Sequence, residues 1–154
     1  GRSFEQGRAL FNELSCAQCH RVGDSDGGEV GPNIADVKTK LDQGDMDRVA
    51  LLKSMIQPSD TIEDSYRSWI IVDLDGRTRT GVISERTDSE LRLLANPLDN
   101  GEPVTIALDD IDEEIESKIS MMPQGLLNTC TKEEILDLLI YVESAGNKNH
   151  PAYK

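Results

Sequence analysis

The run Ser15-Cys16-Ala17-Gln18-Cys19-His20 constrains this chain more than any other feature. Two cysteines stand three residues apart, and a histidine follows the second directly. A C-x-x-C-H run serves three chemistries: a zinc knuckle, a redox dithiol or a covalent haem attachment point. A haem held by two thioethers needs two sulfurs at a spacing that meets its two vinyl groups. It also needs an imidazole that reaches the iron from the same side, and the motif supplies all of these. In a chain of 154 residues with three Cys and two His, the run arises by chance about once in a thousand.

The flanking residues help to separate these chemistries. Ser3 is a predicted helix cap, with Gln6 placed as the other half of a capping box. Phe4, Gly7, Phe11 and Leu14 share one stripe at helical spacing. The motif is therefore expected at the C-terminal end of a helix, and the Gly- and Asp-rich stretch from Gly23 to Gly31 reads as a loop. A redox dithiol belongs instead at a strand-to-helix junction in a βαβ unit. A zinc site would need Cys130 to join Cys16, Cys19 and either His20 or His150 as a Cys₃His set. Nothing in the sequence brings Cys130 back to the motif.

A haem at His20 raises two further questions: what orients the imidazole, and what takes the opposite side of the iron. A ligating histidine gives its second ring N–H to a fixed acceptor. Gly31-Pro32-Asn33 lies at a suitable loop distance, which makes the Pro32 carbonyl the candidate support. Far downstream, Ser120-Met121-Met122-Pro123 offers two thioethers ahead of a proline that restrains the backbone. Met122 is the expected distal ligand, with Met121 in reserve. Neither would be a ligand if both simply filled gaps in a core.

The order of elements reads helix, loop, helix, β block, helix. In "DMDRVALLKSMIQPSD", Met46, Val49, Leu52 (or Ala50) and Ile56 recur on one side, and Pro58 ends the helix. From Tyr66 to Leu108 the period changes to that of strands. Trp69, Ile71 and Asp73 alternate with Ile70 and Val72, Asp75-Gly76 makes a turn, and the block holds about four short strands in all. The single Trp is expected to anchor this block. Ile111, Ile115 and Ile119 stand four apart, which fits a helical stripe and also the even positions of a strand. Thr131 to Glu134 is a capping box that opens the last helix. Ile135, Leu138, Leu139 and Val142 form its apolar face, and Gly146 stops it.

These residues together resemble a class I cytochrome c domain. The resemblance rests on G7-x-x-L10-F11 before C16-x-x-C19-H20, then G31-P32-N33, M122-P123 and a final amphipathic helix carrying Tyr141. It implies that the first and last helices cross, with Gly7 and Phe11 against Leu138, Tyr141 and Val142. "GPNI", "LLKSMIQPSDTIEDSY", "DGRTRTGVI" and "SMMPQGL…TKEEILDLLIYV" are more narrowly similar to the haem-binding domains of planctomycete-type bacteria. That resemblance covers nearly the whole chain. It implies a β segment inserted between the middle helix and the Met, and an exported, periplasmic setting, often beside dehydrogenase domains. Cys130 falls outside this pattern.

The expectation is thus a mainly α cytochrome c fold with a short-stranded β insertion, forming a single domain over 1–154. Residues 1–65 would hold the first helix, the motif and the middle helix, 66–110 the insertion, and 111–154 the Met loop and last helix. The expected function is one-electron transfer by one covalent haem c, without enzymatic chemistry of its own. A five-coordinate haem sensor or peroxidase, or a zinc-stabilised interaction module, is the alternative. With 16 basic and 29 acidic residues, the net charge of −13 repels nucleic acid and favours redox partners with basic docking surfaces, or a fused dehydrogenase domain. No apolar run approaches the roughly 18 residues needed to cross a membrane. An opening at Gly1 rather than Met reads as a processed chain or a piece of a longer protein. His150 is expected in a solvated tail, and the acidic run from Asp109 to Glu114 on a solvated face.

Overall fold

Ser3 is extended and accepts the Gln6 N–H on its hydroxyl at 3.1 Å, which starts helix α1 (Phe4–Glu13). The computed structural model describes residues 1–154. These divide into two units, Gly1–Pro58 with Gln124–Lys154, and Ser59–Pro123.

The first unit is helical. After α1 come a single turn, α2 (Cys16–Cys19), then α3 (Ile34–Gln43), α4 (Arg48–Ile56) and α5 (Lys132–Glu143). The capping box of α5 is complete: the Glu134 N–H reaches the Thr131 hydroxyl, and the Thr131 N–H reaches the Glu134 carboxylate at 2.7 Å. At α1 only half of the expected box forms, because the Ser3 N–H donates to Asp137 Oδ1 at 2.9 Å rather than to Gln6. That bond ties α1 to α5. Arg2 adds a 2.6 Å ion pair with Glu133.

The two helices meet at Gly7. A Cβ built there would overlap the Asp137 carbonyl oxygen and lie 2.8 Å from Tyr141 Cβ. Only glycine lets the two backbones approach this closely. The rings of Phe11 and Phe4 lie 5.4 and 5.6 Å from that of Tyr141, within the range of favourable aromatic pairs. Leu10, Phe11, Leu138, Leu139, Tyr141 and Val142 are all buried.

The middle helices of this unit also depart from expectation. Helix α3 escapes the periodicity reading, although Asn33 caps it and Gly44 ends it in the left-handed region at φ 79°. On α4 the expected face is the wrong one: Leu51 and Met55 are buried, whereas Val49 is 75% and Ile56 46% exposed. Apolar residues lie on most sides of α4, so spacing alone cannot select the inner face.

The second unit is an antiparallel sheet. Strands β1 (Ser68–Asp73), β2 (Thr78–Arg86), β3 (Glu90–Ala95), β4 (Val104–Ala107) and β5 (Ile111–Glu116) run in the order β4-β3-β2-β1-β5. Ile71, Leu91, Leu93 and Ile106 form its buried cluster, and half-buried Trp69 packs against them. Fully burying each such aliphatic side chain contributes roughly 1.5–3 kcal/mol. Gly76, at φ 78°, turns β1 into β2. The Asp73 carboxylate braces this turn, accepting the Asp75 and Arg77 N–H groups at 3.0 and 2.9 Å and pairing with Arg79 at 3.2 Å. The Arg77 bond, followed by the others, holds the Asp73 carboxyl below its usual range.

The expectation of a mainly α fold is therefore incorrect. Helices hold 37% of the residues, but a five-stranded sheet holds 20%, with its own core. The ambiguous segment explains part of the error. Ile111–Glu116 is strand β5, aligned with Trp69–Asp73 of β1. A four-residue spacing is twice the strand period and close to one helical turn, so the pattern fits both. The free edge of β1 decides it by supplying main-chain partners.

Two outcomes follow. Replacing Gly7 by Ala should lower stability by at least about 1 kcal/mol despite the better helix propensity of Ala, because overpacking costs more. Denaturant unfolding that shows Gly7→Ala as stable as the parent would contradict the close crossing. For Asp73, a folded pKa below the unfolded one adds stability that is present above the unfolded value and lost as pH falls through the folded one. The stability gap between the parent and Asp73→Asn should be open at neutral pH and close below about pH 4. A gap that does not narrow as pH falls below about 4 would refute this role of the carboxylate.

Candidate functional site

The backbone around the motif is built from specific local bonds. Helix α1 does not simply continue into it. Ser15 adopts φ 66°, in the left-handed region, and turns the chain into α2. The motif thus lies on its own helical turn rather than at the end of α1, as the spacing had suggested. Cys16 and Cys19, three apart on that turn, lie on one side of it. The His20 N–H closes the turn on the Cys16 carbonyl at 2.9 Å.

The following loop folds back onto the same turn. The Gly28 N–H donates to the Ala17 carbonyl at 3.0 Å, and the Gly31 N–H donates to the Cys19 carbonyl at 2.9 Å. Both glycines are required by close approach. A Cβ on Gly28 would overlap the Gln18 carbonyl, and one on Gly31 would strike the His20 ring, 2.4 Å from Cε1. Asn33 fastens the far end of the loop. Its Oδ1 accepts the Gly23 and Ala35 N–H groups at 2.9 and 3.0 Å, and its Nδ2 donates to the Gly23 carbonyl at 2.9 Å. One side chain therefore closes the loop and caps α3. The sequence reading takes Asn33 only as part of Gly31-Pro32-Asn33 and misses its capping role, although an Asn before the apolar series Ile34, Val37 and Leu41 is a helix-start signal.

His20 Nδ1 lies 2.7 Å from the Pro32 carbonyl oxygen. A carbonyl only accepts, so the ring proton is on Nδ1 and the lone pair is on Nε2. Burial pushes the imidazole pKa down, and the Pro32 bond opposes this in part. The ring is thus held as a neutral base in one orientation, which is the form that binds a metal.

All three cysteines are free thiols. Burial pushes the Cys16 thiol up to about 11 and also raises that of Cys19. A redox dithiol needs the opposite shift, because the thiolate is its nucleophile. For zinc, no group of three or more His, Cys, Asp or Glu side chains is gathered as a metal site. Two unpaired thiols and a neutral imidazole, with glycine where a side chain would strike the ring, fit a c-type haem attachment site.

The structure brings Cys16, Cys19, His20 and Pro32 together within the first unit. Met121 and Met122 belong to the second unit, both half-buried. Cys130 immediately precedes the α5 cap Thr131. His150 is not a free tail residue: its Nδ1 accepts the Ala152 N–H at 3.3 Å, and its ring lies 6.1 Å from that of Tyr153. The acidic run enters β5, where Glu114 pairs with Arg86 at 2.6 Å and Glu116 pairs with Arg67 at 2.9 Å.

Residues 4–68 match the family model for Cytochrome c. The matched stretch contains Cys16, Cys19, His20 and Pro32 and ends at the first residue of β1, ahead of Met121 and Met122. No curated protein matches the chain. Cytochrome c domains are typically exported or periplasmic, and no helix here is long and apolar enough to cross a membrane. The family match supports a cytochrome c domain in this chain, and with it covalently bound haem c and a haem-based electron-transfer role.

Proposed function

We propose that this chain is a one-haem electron-transfer domain of the planctomycete type, part of a larger exported redox protein. Cys16 and Cys19 form the two thioethers, His20 is the proximal ligand through Nε2, and Met122 is the distal ligand, with Met121 in reserve. The observation that carries this reading is the His20–Pro32 hydrogen bond at 2.7 Å within a C-x-x-C-H run. With the proton on Nδ1, it leaves Nε2 as one basic nitrogen with a free lone pair and a fixed ring plane, beside two free thiols.

A bound haem supplies the Fe(II)/Fe(III) couple, which passes one electron without making a bond to a substrate. The protein's part is to hold its ligands still. The Pro32 carbonyl draws on the Nδ1 proton and makes Nε2 a stronger donor. Gly31, having no side chain, leaves the imidazole room. A Met122 thioether joining His20 in holding the haem would raise its reduction potential, and Pro123 restrains the backbone beside that methionine. The domain is not an enzyme in itself and serves a fused or partner dehydrogenase.

Two measurements test this. Ferric protein matured with haem-attachment machinery should show the weak red-end band of Met-ligated low-spin haem, and Met122→Ala should abolish it. A parent spectrum without that band would replace the reading with an open-site sensor or peroxidase, and loss in Met121→Ala alone would move the ligand by one residue. The net charge of −13 favours a basic partner surface. Electron exchange with a basic acceptor protein should slow severalfold between about 50 and 200 mM salt, as the Debye length shortens. A rate independent of salt would remove electrostatic docking from the account.

A further inference from the structure

The segment Ser117–Met122 is neither helix nor strand, yet serines hold its backbone at almost every step. Ser68, the first residue of β1, is 1% exposed. Its carbonyl accepts the Ser117 N–H at 2.9 Å, and its hydroxyl donates to the Ile119 carbonyl at 2.8 Å. Ser117 Oγ accepts the Ile119 N–H at 3.2 Å. Ser59 Oγ accepts the Ser120 N–H at 3.0 Å, and Ser120 Oγ accepts the Met122 N–H at 3.1 Å. All of these partners lie within the second unit.

Hydrophobic burial does not explain this arrangement. The Ile119 side chain is 71% exposed, so packing does not pin the segment there. A buried hydroxyl costs free energy unless it is bonded. Ser68 meets that requirement on a carbonyl 51 residues away in sequence, which specifies where the segment runs. The last bond in the series ends on the Met122 N–H, and Pro123 then confines the Met122 backbone to extended conformations.

We infer that Ser68, with Ser59 and Ser120, is a positioning residue for the Met122 sulfur. The serine clamp holds the backbone that carries the thioether, so that the sulfur competes well with ligands from solution. This rests on the assignment of Met122 as distal ligand. A thioether whose backbone is already held would lose less ordering entropy on binding a metal than a ligand from solution would. Weakening the clamp should therefore change ligand competition before it changes the fold.

The test uses the haem-loaded full chain and compares the parent with Ser68→Ala, Ser120→Ala and Ser120→Thr. Titration of the ferric form with imidazole reads displacement of the thioether through loss of the red-end band. Ser68→Ala and Ser120→Ala should bind imidazole roughly three- to tenfold more tightly, the factor expected from losing one such hydrogen bond. Ser120→Thr keeps an acceptor oxygen and should restore the parent affinity. Amide hydrogen exchange should quicken at Ile119, Ser120 and Met122 in the Ala variants and stay unchanged in the strands. If both Ala variants keep the parent imidazole affinity while thermal stability falls, the serines are merely structural and the inference is overturned. If the parent itself lacks a red-end band that Met122→Ala removes, the ligand assignment fails and this inference falls with it.

Discussion

The hydrogen bond between His20 Nδ1 and the Pro32 carbonyl organises the first unit around the motif. It requires Pro32 to return to the end of α2, so the loop from Arg21 to Gly31 has to close tightly. That closure demands glycine at three contacts: Gly27 against Arg21 Cα and the His20 carbonyl, Gly28 against the Gln18 carbonyl, and Gly31 against the His20 ring. It also demands a clasp at the loop's far end, which Asn33 provides while capping α3. Fixing one imidazole therefore determines the course of the chain from Cys16 to the first turn of α3. The Gly7 crossing performs a comparable task at the other end of the unit, setting α1 against α5 at a separation that any Cβ would enlarge.

The two units reach order by different physics. In the helical unit, contacts distant in sequence tie the ends of the chain together: Arg2 with Glu133, Ser3 with Asp137, and Arg48 with Glu143 through two bonds of 2.8 and 2.6 Å. In the sheet unit, β1 to β4 pair in sequence order, with a braced carboxylate at Asp73 setting the first turn, and β5 returns to pair with β1. Its ends meet as well, where the Ser120 N–H donates to Ser59. Exposed ion pairs of this kind each contribute little. The buried aliphatic clusters supply most of the stability, while the polar clasps select the path of the backbone.

Much of the site was legible because its chemistry depends on spacing along the chain. Cys16, Cys19 and His20 lie on one turn, and Pro32 lies one short loop beyond, so a linear motif carries most of the geometry. The caps at Ser3 and Thr131 were legible for the same reason, since a cap is a local bond. The other half of the Ser3 box was not, because Asp137, more than a hundred residues away, competes for the same N–H. The inner face of α4 was illegible because Val49 and Ile56 are as apolar as Leu51 and Met55, and only tertiary packing distinguishes them. Strand β5 was undecidable from its isoleucines, since pairing with β1 rather than local propensity made it a strand. The serine clamp was hidden for a related reason: Ser59, Ser68 and Ser120 are ordinary residues until the fold brings them together.

The central claim is that Cys16 and Cys19 carry one haem. Intact mass and peptide mapping of the chain, matured in an exporting host with haem-attachment machinery, test it most directly. The account predicts a gain of one haem per chain, located on the peptide that contains both Cys16 and Cys19, with Cys130 still open to alkylation. A chain that emerges at its unmodified mass with three alkylatable thiols, or with zinc bound in place of haem, would contradict it.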